Sequence, residues 1–158
     1  IAIESTLGTG TTITLRVPVV RPPRWFFPVI RLNRVQKVVI LDDDQSIHSI
    51  WDKRLGELGV QDQSFSIVHL HSAQEFSEWA NSSASILAEA PAPLILCDYE
   101  LIGEKQNGLD LLRGLPPGPA LVLVTSRYED PHIVDMCINL GISLLPKNLA
   151  PFIPMEII

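Results

Sequence analysis

Cysteine is nearly missing from this chain: 158 residues hold only Cys97 and Cys137. Two are too few for a disulfide framework, and their spacing fits no zinc motif. Each reads as a small buried apolar residue in a reducing compartment. Long apolar runs are absent as well, and none approaches the roughly 20 residues that cross a bilayer. The opening "IAIESTLGTG" has no initiator Met and no basic signal-peptide region, so it reads as a cut inside a longer protein. These absences set an expectation of cytoplasmic residence without membrane contact. Basic residues are scarce over most of the length. Residues 38–158 carry six Lys or Arg against seventeen Asp or Glu, a net −11, whereas residues 1–37 hold six basic residues and one acid, a net +5. Phosphate neutralisation dominates nucleic-acid affinity, so the acidic body argues against a nucleic-acid partner.

What is present is apolar enough to fold. Hydrophobic residues make up 46% and mean hydropathy is +0.23, and 158 residues give room for one domain and a remnant. The alternation in "TTITLRV" sets Ile13, Leu15 and Val17 against Thr12, Thr14 and Arg16, as in a strand. Three prolines and four arginines then crowd residues 21–36, which read as a stiff linker. Trp25, Phe26 and Phe27 are out of place in a free linker and are expected to pack on the nearest domain surface. From residue 37, apolar runs recur at spacings of about 25: 38–41, 66–70, 93–97, 120–124 and 142–146. Near-continuous β-branched runs suit strands buried on both faces of a parallel sheet. Helical patterns lie between them. Ile47, Ile50, Leu55 and Leu58 keep a helical beat over 45–58, and Ser72 with Glu75 is spaced as a capping box. A further helix follows Asn107; the last has Asp130 as N-cap, Pro131 behind it and Gly141 past its end. The expected fold is a doubly wound, flavodoxin-like α/β sandwich of five parallel strands. Its fifth helix is truncated or absent, because "APFIPMEII" contains two prolines.

Chemistry-bearing residues fall where the strands end. Three adjacent aspartates, Asp42, Asp43 and Asp44, follow the first run, and their mutual repulsion asks for a cation. Later runs deliver Asp98, then Thr125 and Ser126, then Lys147. In a flavodoxin-like strand order these converge. Asp43 and Asp98, with a backbone carbonyl such as that of Glu100, suit the oxygen shell of Mg²⁺, and Asp42 would bind through water. Asp98 is then a nucleophile towards phosphorus, while Lys147 and Thr125 hold phosphoryl oxygens. Taken alone, Asp42–Asp44 also has a blander reading, a solvated turn that caps the helix starting near Gln45. His69 and His71 share a strand face but lack a third metal ligand, and His48 and His132 read as surface or boundary residues.

The motifs "KVVILDDDQSIHSIW", "LILCDYEL…NGLDLL", "LVLVTS" and "LLPK" resemble the receiver domains of two-component signalling over residues 37 to about 150. That resemblance implies a phospho-acceptor at Asp98, an acidic pair at Asp42 and Asp43, the Thr at Thr125 and the Lys at Lys147. It also implies Mg²⁺ and a phosphohistidine donor on a histidine kinase or phosphotransfer protein. "STLGTGTTITLRVP" is similar to the closing strands of histidine-kinase ATP-binding domains. The implied order is that of a hybrid sensor kinase: an ATP-binding-domain remnant at 1–20, a linker at 21–36 and a receiver at 37–158. Residues 1–36, lacking a domain of their own, could pair with a second copy. There are departures: Leu144 stands where receivers often have an aromatic switch residue, and Asn148 follows Lys147 in place of proline. Two other readings remain. "DDDQSI" also fits haloacid-dehalogenase-type phosphatases, with Asp42 as nucleophile and Asp44 as acid. The chain could also be a receiver-like module that binds partners without taking phosphate.

Overall fold

The computed structural model describes residues 1–58, 66–88 and 90–158. Strands β1 (Ala2–Thr6) and β2 (Gly10–Thr14) form an antiparallel hairpin with Ile3 opposite Ile13. The alternation in the sequence located β2; its partner β1 has a weaker pattern. Every residue from 1 to 24 is exposed. After β3 (Ile30–Leu32) come the five predicted strands: β4 (Lys37–Leu41), β5 (Ser66–Leu70), β6 (Leu94–Asp98), β7 (Ala120–Thr125) and β8 (Ser143–Pro146). They make one parallel sheet in the order β5-β4-β6-β7-β8. The chain runs from β4 to β5 on one side, then returns to place β6 on the other. That reversal is the switch point at which doubly wound sheets open a crevice.

Successive strand residues face opposite layers. Val38 and Ile40 join Leu94, Leu96, Val122 and Val124 in one apolar layer, against Ile47, Trp51 and Leu55 of α1 (Gln45–Leu58). Val39, Leu41, Ile95, Cys97 and Leu123 face the other. That layer is covered by α2 (Ala73–Ser82), the short α3 (Ala84–Leu87), α4 (Gly108–Arg113) and α5 (Pro131–Leu140). Both cysteines are buried and unpaired, as their scarcity suggested. Cap chemistry sets the helix ends. Asn107 and Asp110 form a reciprocal capping box on α4, Asp130 caps α5 before Pro131, and Gly141 ends it at φ 68°. On α2 the Ser72 side chain accepts from the Glu75 N–H (3.2 Å), but Glu75 reaches past Ser72 to accept from the His71 N–H (2.8 Å). The predicted box is half made.

The stretch read as a linker does more than connect. Residues 25–27 add to the outer edge of β8: the Leu144 N–H donates to the Trp25 carbonyl (2.7 Å), and the Phe27 N–H donates to that of Leu144 (2.9 Å). Further on, β3 pairs in parallel with β9 (Met155–Ile157), with Ile30 level with Met155. After β8 the chain makes only a 3₁₀ turn (Lys147–Leu149), so the helix that would follow the last sheet strand is absent, as its prolines implied. The β3–β9 ribbon lies over the layer shared with α1, burying Ile30, Leu32 and Ile153. Arg54 of α1 clasps this tail by donating to the carbonyls of Pro151 and Ile153. A doubly wound sheet must cover both faces; here a ribbon from the two ends of the chain serves where a helix could not form. Among the described residues no helix is long and apolar enough to cross a membrane.

Candidate functional site

The three aspartates after β4 have separate fates. Asp44 turns outward, and its carboxylate accepts the Ser46 N–H (2.8 Å) at the start of α1. The Ser46 side chain first, and then its N–H, hold the Asp44 carboxyl below the usual range. Asp42 points inward and is 2% exposed; its Oδ1 accepts the Asp44 N–H (2.9 Å), closing an Asx turn. Asp43 is half-buried between them, its Oδ2 3.4 Å from the Ile102 N–H. The cap and the Asx turn thus engage Asp44 and Asp42, and Asp43 is left outside both.

Asp98 ends β6, one strand over, and is 5% exposed. Its Oδ1 accepts the Tyr99 N–H (2.7 Å). Carboxylate oxygens of Asp42, Asp43 and Asp98 lie within 4.8 Å of one another, the arrangement a small oxygen-seeking cation requires. Lys147, just past β8, reaches across to both buried acids: its Nζ is 2.6 Å from Asp98 Oδ2 and 2.9 Å from Asp42 Oδ2. Burial pushes the Asp98 and Asp42 carboxyls up, and the lysine contacts only partly offset that. For Lys147 burial is the largest single influence and pulls down. Its hydrogen bonds to Asp98 and Asp42 outweigh that, and its value is raised. One ammonium therefore balances two buried carboxylates, which leaves the cluster with an excess of negative charge.

Thr125, fully buried, ends β7 one position beyond Val124, the register partner of Asp98, and its Oγ1 accepts the Arg127 N–H (3.0 Å). Glu100 lies two residues past Asp98, its carboxylate 3.6 Å from the Arg127 guanidinium. Sheet order brings Asp42, Asp43, Asp98, Thr125 and Lys147 to the same end of the sheet, as their positions after the apolar runs implied.

Two contributors escaped the sequence. Gly108 opens α4 directly against β6: a Cβ there would sit 1.9 Å from the Asp98 carbonyl oxygen. Its place after Asn107 was legible, the close approach was not. His48, read from the sequence as a surface or boundary residue, is 1% exposed and hydrogen-bonded to the Asp42 backbone. The stripe of α1 carries it inward beside Trp51 and Leu55, and His69 and His71 meet it from β5 and the residue beyond. His132 is exposed, as expected.

No protein-family profile matches the chain, and no curated protein matches it in sequence. Solved structures with the same architecture do exist. The receiver domain of the histidine kinase CKI1 from Arabidopsis thaliana, complexed with Mg²⁺ and BeF₃⁻, superposes with a TM-score of 0.55 at 16% identity, over 72% of this chain and 82% of its own. A response regulator receiver domain from Rhodospirillum rubrum gives 0.52 at 18% identity, over 73% of this chain and 92% of its own. The chemotaxis protein CheY4 of Vibrio cholerae gives 0.52 at 14% identity, over 71% of this chain and 85% of its own. The chain has the receiver-domain fold of two-component response regulators, with a buried acidic cluster at the strand ends.

Proposed function

We propose that this protein is a phospho-accepting receiver, in which Asp98 takes a phosphoryl group from a phosphohistidine on a histidine kinase or phosphotransfer protein. The observation that carries the reading is the convergence of Lys147 on Asp98 and Asp42 beside Asp43. A carboxylate oxygen of Asp98 forms a bond to phosphorus as the P–N bond to the imidazole breaks; the leaving nitrogen keeps the electron pair and takes a proton. Asp98 must be ionised to attack, and the Lys147 ammonium at 2.6 Å supports that form against burial. Lys147 then pairs with the phosphoryl oxygens, and the Thr125 hydroxyl donates to one of them. Asp42, Asp43 and Asp98, with the backbone carbonyl of Glu100, would hold Mg²⁺, whose charge relieves their repulsion and attracts the phosphoryl oxygens. An all-oxygen donor set of this charge suits that ion. In this reading residues 1–20 are the closing strands of a kinase ATP-binding domain and 21–36 tether them to the receiver, within a cytoplasmic hybrid kinase. Holding only those strands, the chain should not label itself with ATP.

Treatment with acetyl phosphate and Mg²⁺, borohydride trapping and peptide mass spectrometry test the assignment. The adduct is expected on Asp98, abolished by Asp98→Asn and left nearly intact by Asp44→Asn. An adduct on Asp42 that survives Asp98→Asn, with steady turnover of phosphate esters, would establish the phosphatase chemistry in its place.

A further inference from the structure

Behind the acidic cluster lies a second polar chain. His48 Nε2 is 2.8 Å from the Asp42 carbonyl oxygen, His48 Nδ1 is 2.7 Å from His69 Nδ1, and His69 Nε2 is 2.9 Å from Asp52 Oδ1. A carbonyl only accepts, so the Nε2 of His48 carries a proton. A carboxylate only accepts, so the Nε2 of His69 carries one too. The contact between the two Nδ1 atoms needs a third. Asp52 anchors the outer, partly exposed end of this path.

The path has fixed anchors. Asp52 and His48 are four apart on α1 and share a face. His69 sits on β5 level with Ile40 of β4, and therefore on the layer that faces α1. At the far end the Asp42 N–H donates to the Leu70 carbonyl (3.1 Å), so both backbone polar groups of Asp42 are engaged, one by β5 and one by His48. A carboxylate whose backbone is held at both ends has little freedom to swing.

We infer that His48, braced by His69 and Asp52, is a positioning residue for the acidic cluster: it fixes the Asp42 backbone and thereby aims Asp42 and Asp43 at the cation they would share. The inference rests on the Mg²⁺ reading above. Outer-shell partners that orient metal ligands typically account for 10–100-fold in affinity, and a bond to the ligand's backbone belongs at the lower end.

Calorimetric titration of the whole chain with Mg²⁺, alongside thermal melting, separates positioning from plain stability. His48→Ala is expected to weaken Mg²⁺ about tenfold, and His48→Gln, which keeps an N–H donor, to recover part of that. Asp52→Asn, at an exposed position that leaves folding intact, should cost about two- to threefold, as should His69→Ala if His48→Ala fails to fold. A wild type that binds Mg²⁺ with Asp52→Asn and His69→Ala unchanged in affinity overturns the inference alone, whatever happens to melting. Lack of Mg²⁺ binding by the wild type, or binding indifferent to Asp98→Ala and Asp43→Ala, removes the functional reading and this inference with it.

Discussion

Asp98 and Asp42 are the residues for which folding works against ionisation. Both carboxyls are raised mainly by burial, so the unfolded chain gives up these protons first and the folded chain holds them longer. Stability from this source is full below the ordinary carboxylate range and is lost as pH rises through the raised values. Asp44 and Asp130 run the other way, lowered by hydrogen bonds they accept from Ser46 and from Arg127, and they lose their contribution as pH falls. A difference measurement isolates the site. In metal-free buffer, the melting temperature of Asp98→Asn relative to wild type should climb as pH goes from about 4 to about 6, where ordinary carboxyls finish titrating. A flat difference would mean that Asp98 is not the strained carboxyl. Gly108 makes a second case. Since a Cβ would lie 1.9 Å from the Asp98 carbonyl, Gly108→Ala must push α4 away from β6. Overpacking of this kind costs roughly 1–3 kcal/mol, readable as a lower urea midpoint. Gly56→Ala, in the last turn of α1 where a Cβ meets nothing within 4 Å, should be neutral or stabilising in the same assay.

At the scale of elements, legibility followed the range of the pairing that each segment needed. The five central strands announced themselves because burial on both faces demands unbroken apolar runs, and each carboxylate or lysine of the site stands at the end of such a run. His48 could not be read in that way. Its burial depends on the β4–β5 register that puts His69 opposite α1, and no local pattern encodes a register between strands. The β3–β9 ribbon was hidden for a related reason: three-residue strands carry too little alternation, and the partners lie at opposite ends of the chain. Proline and arginine around β3 make the segment resemble a linker, yet Ile30 and Leu32 are fully buried. Substituting Leu32→Ala tests which description governs its energetics. A true linker residue would shift stability by less than about 0.5 kcal/mol, whereas a core leucine leaves a cavity costing about 2–5 kcal/mol. The second outcome is expected in equilibrium urea unfolding, with the slope unchanged.

Across the whole molecule, the boundary that matters is not where composition changes. Net charge switches sign near residue 37, but the structural seam lies near residue 24: everything before it is exposed, and from Trp25 onward the chain is laced to the sheet. Trp25 packs with the layer containing α5, while Phe26 and Phe27 pack with the layer containing α1, so this segment straddles the edge of β8 and covers strand groups that would otherwise stand open. Leu144 is fully buried under that edge, three residues before Lys147. Two truncations follow. Removal of residues 1–24 should leave the melting temperature and Mg²⁺ affinity within error of the full chain, because it uncovers no buried side chain. Removal of residues 1–36 deletes the pairing partner of β8, strips β9 of β3, and exposes the α1 layer at Ile153 and Met155. Losing Ile30 and Leu32 alone forfeits roughly 1.5–3 kcal/mol each in burial, a large part of the 5–15 kcal/mol typical of a domain. The longer truncation should therefore melt far lower, or fail to fold, and should bind a dye for exposed apolar surface. Equal stability of the two truncations would return residues 25–36 to the status of a tether and move the domain boundary back to residue 37.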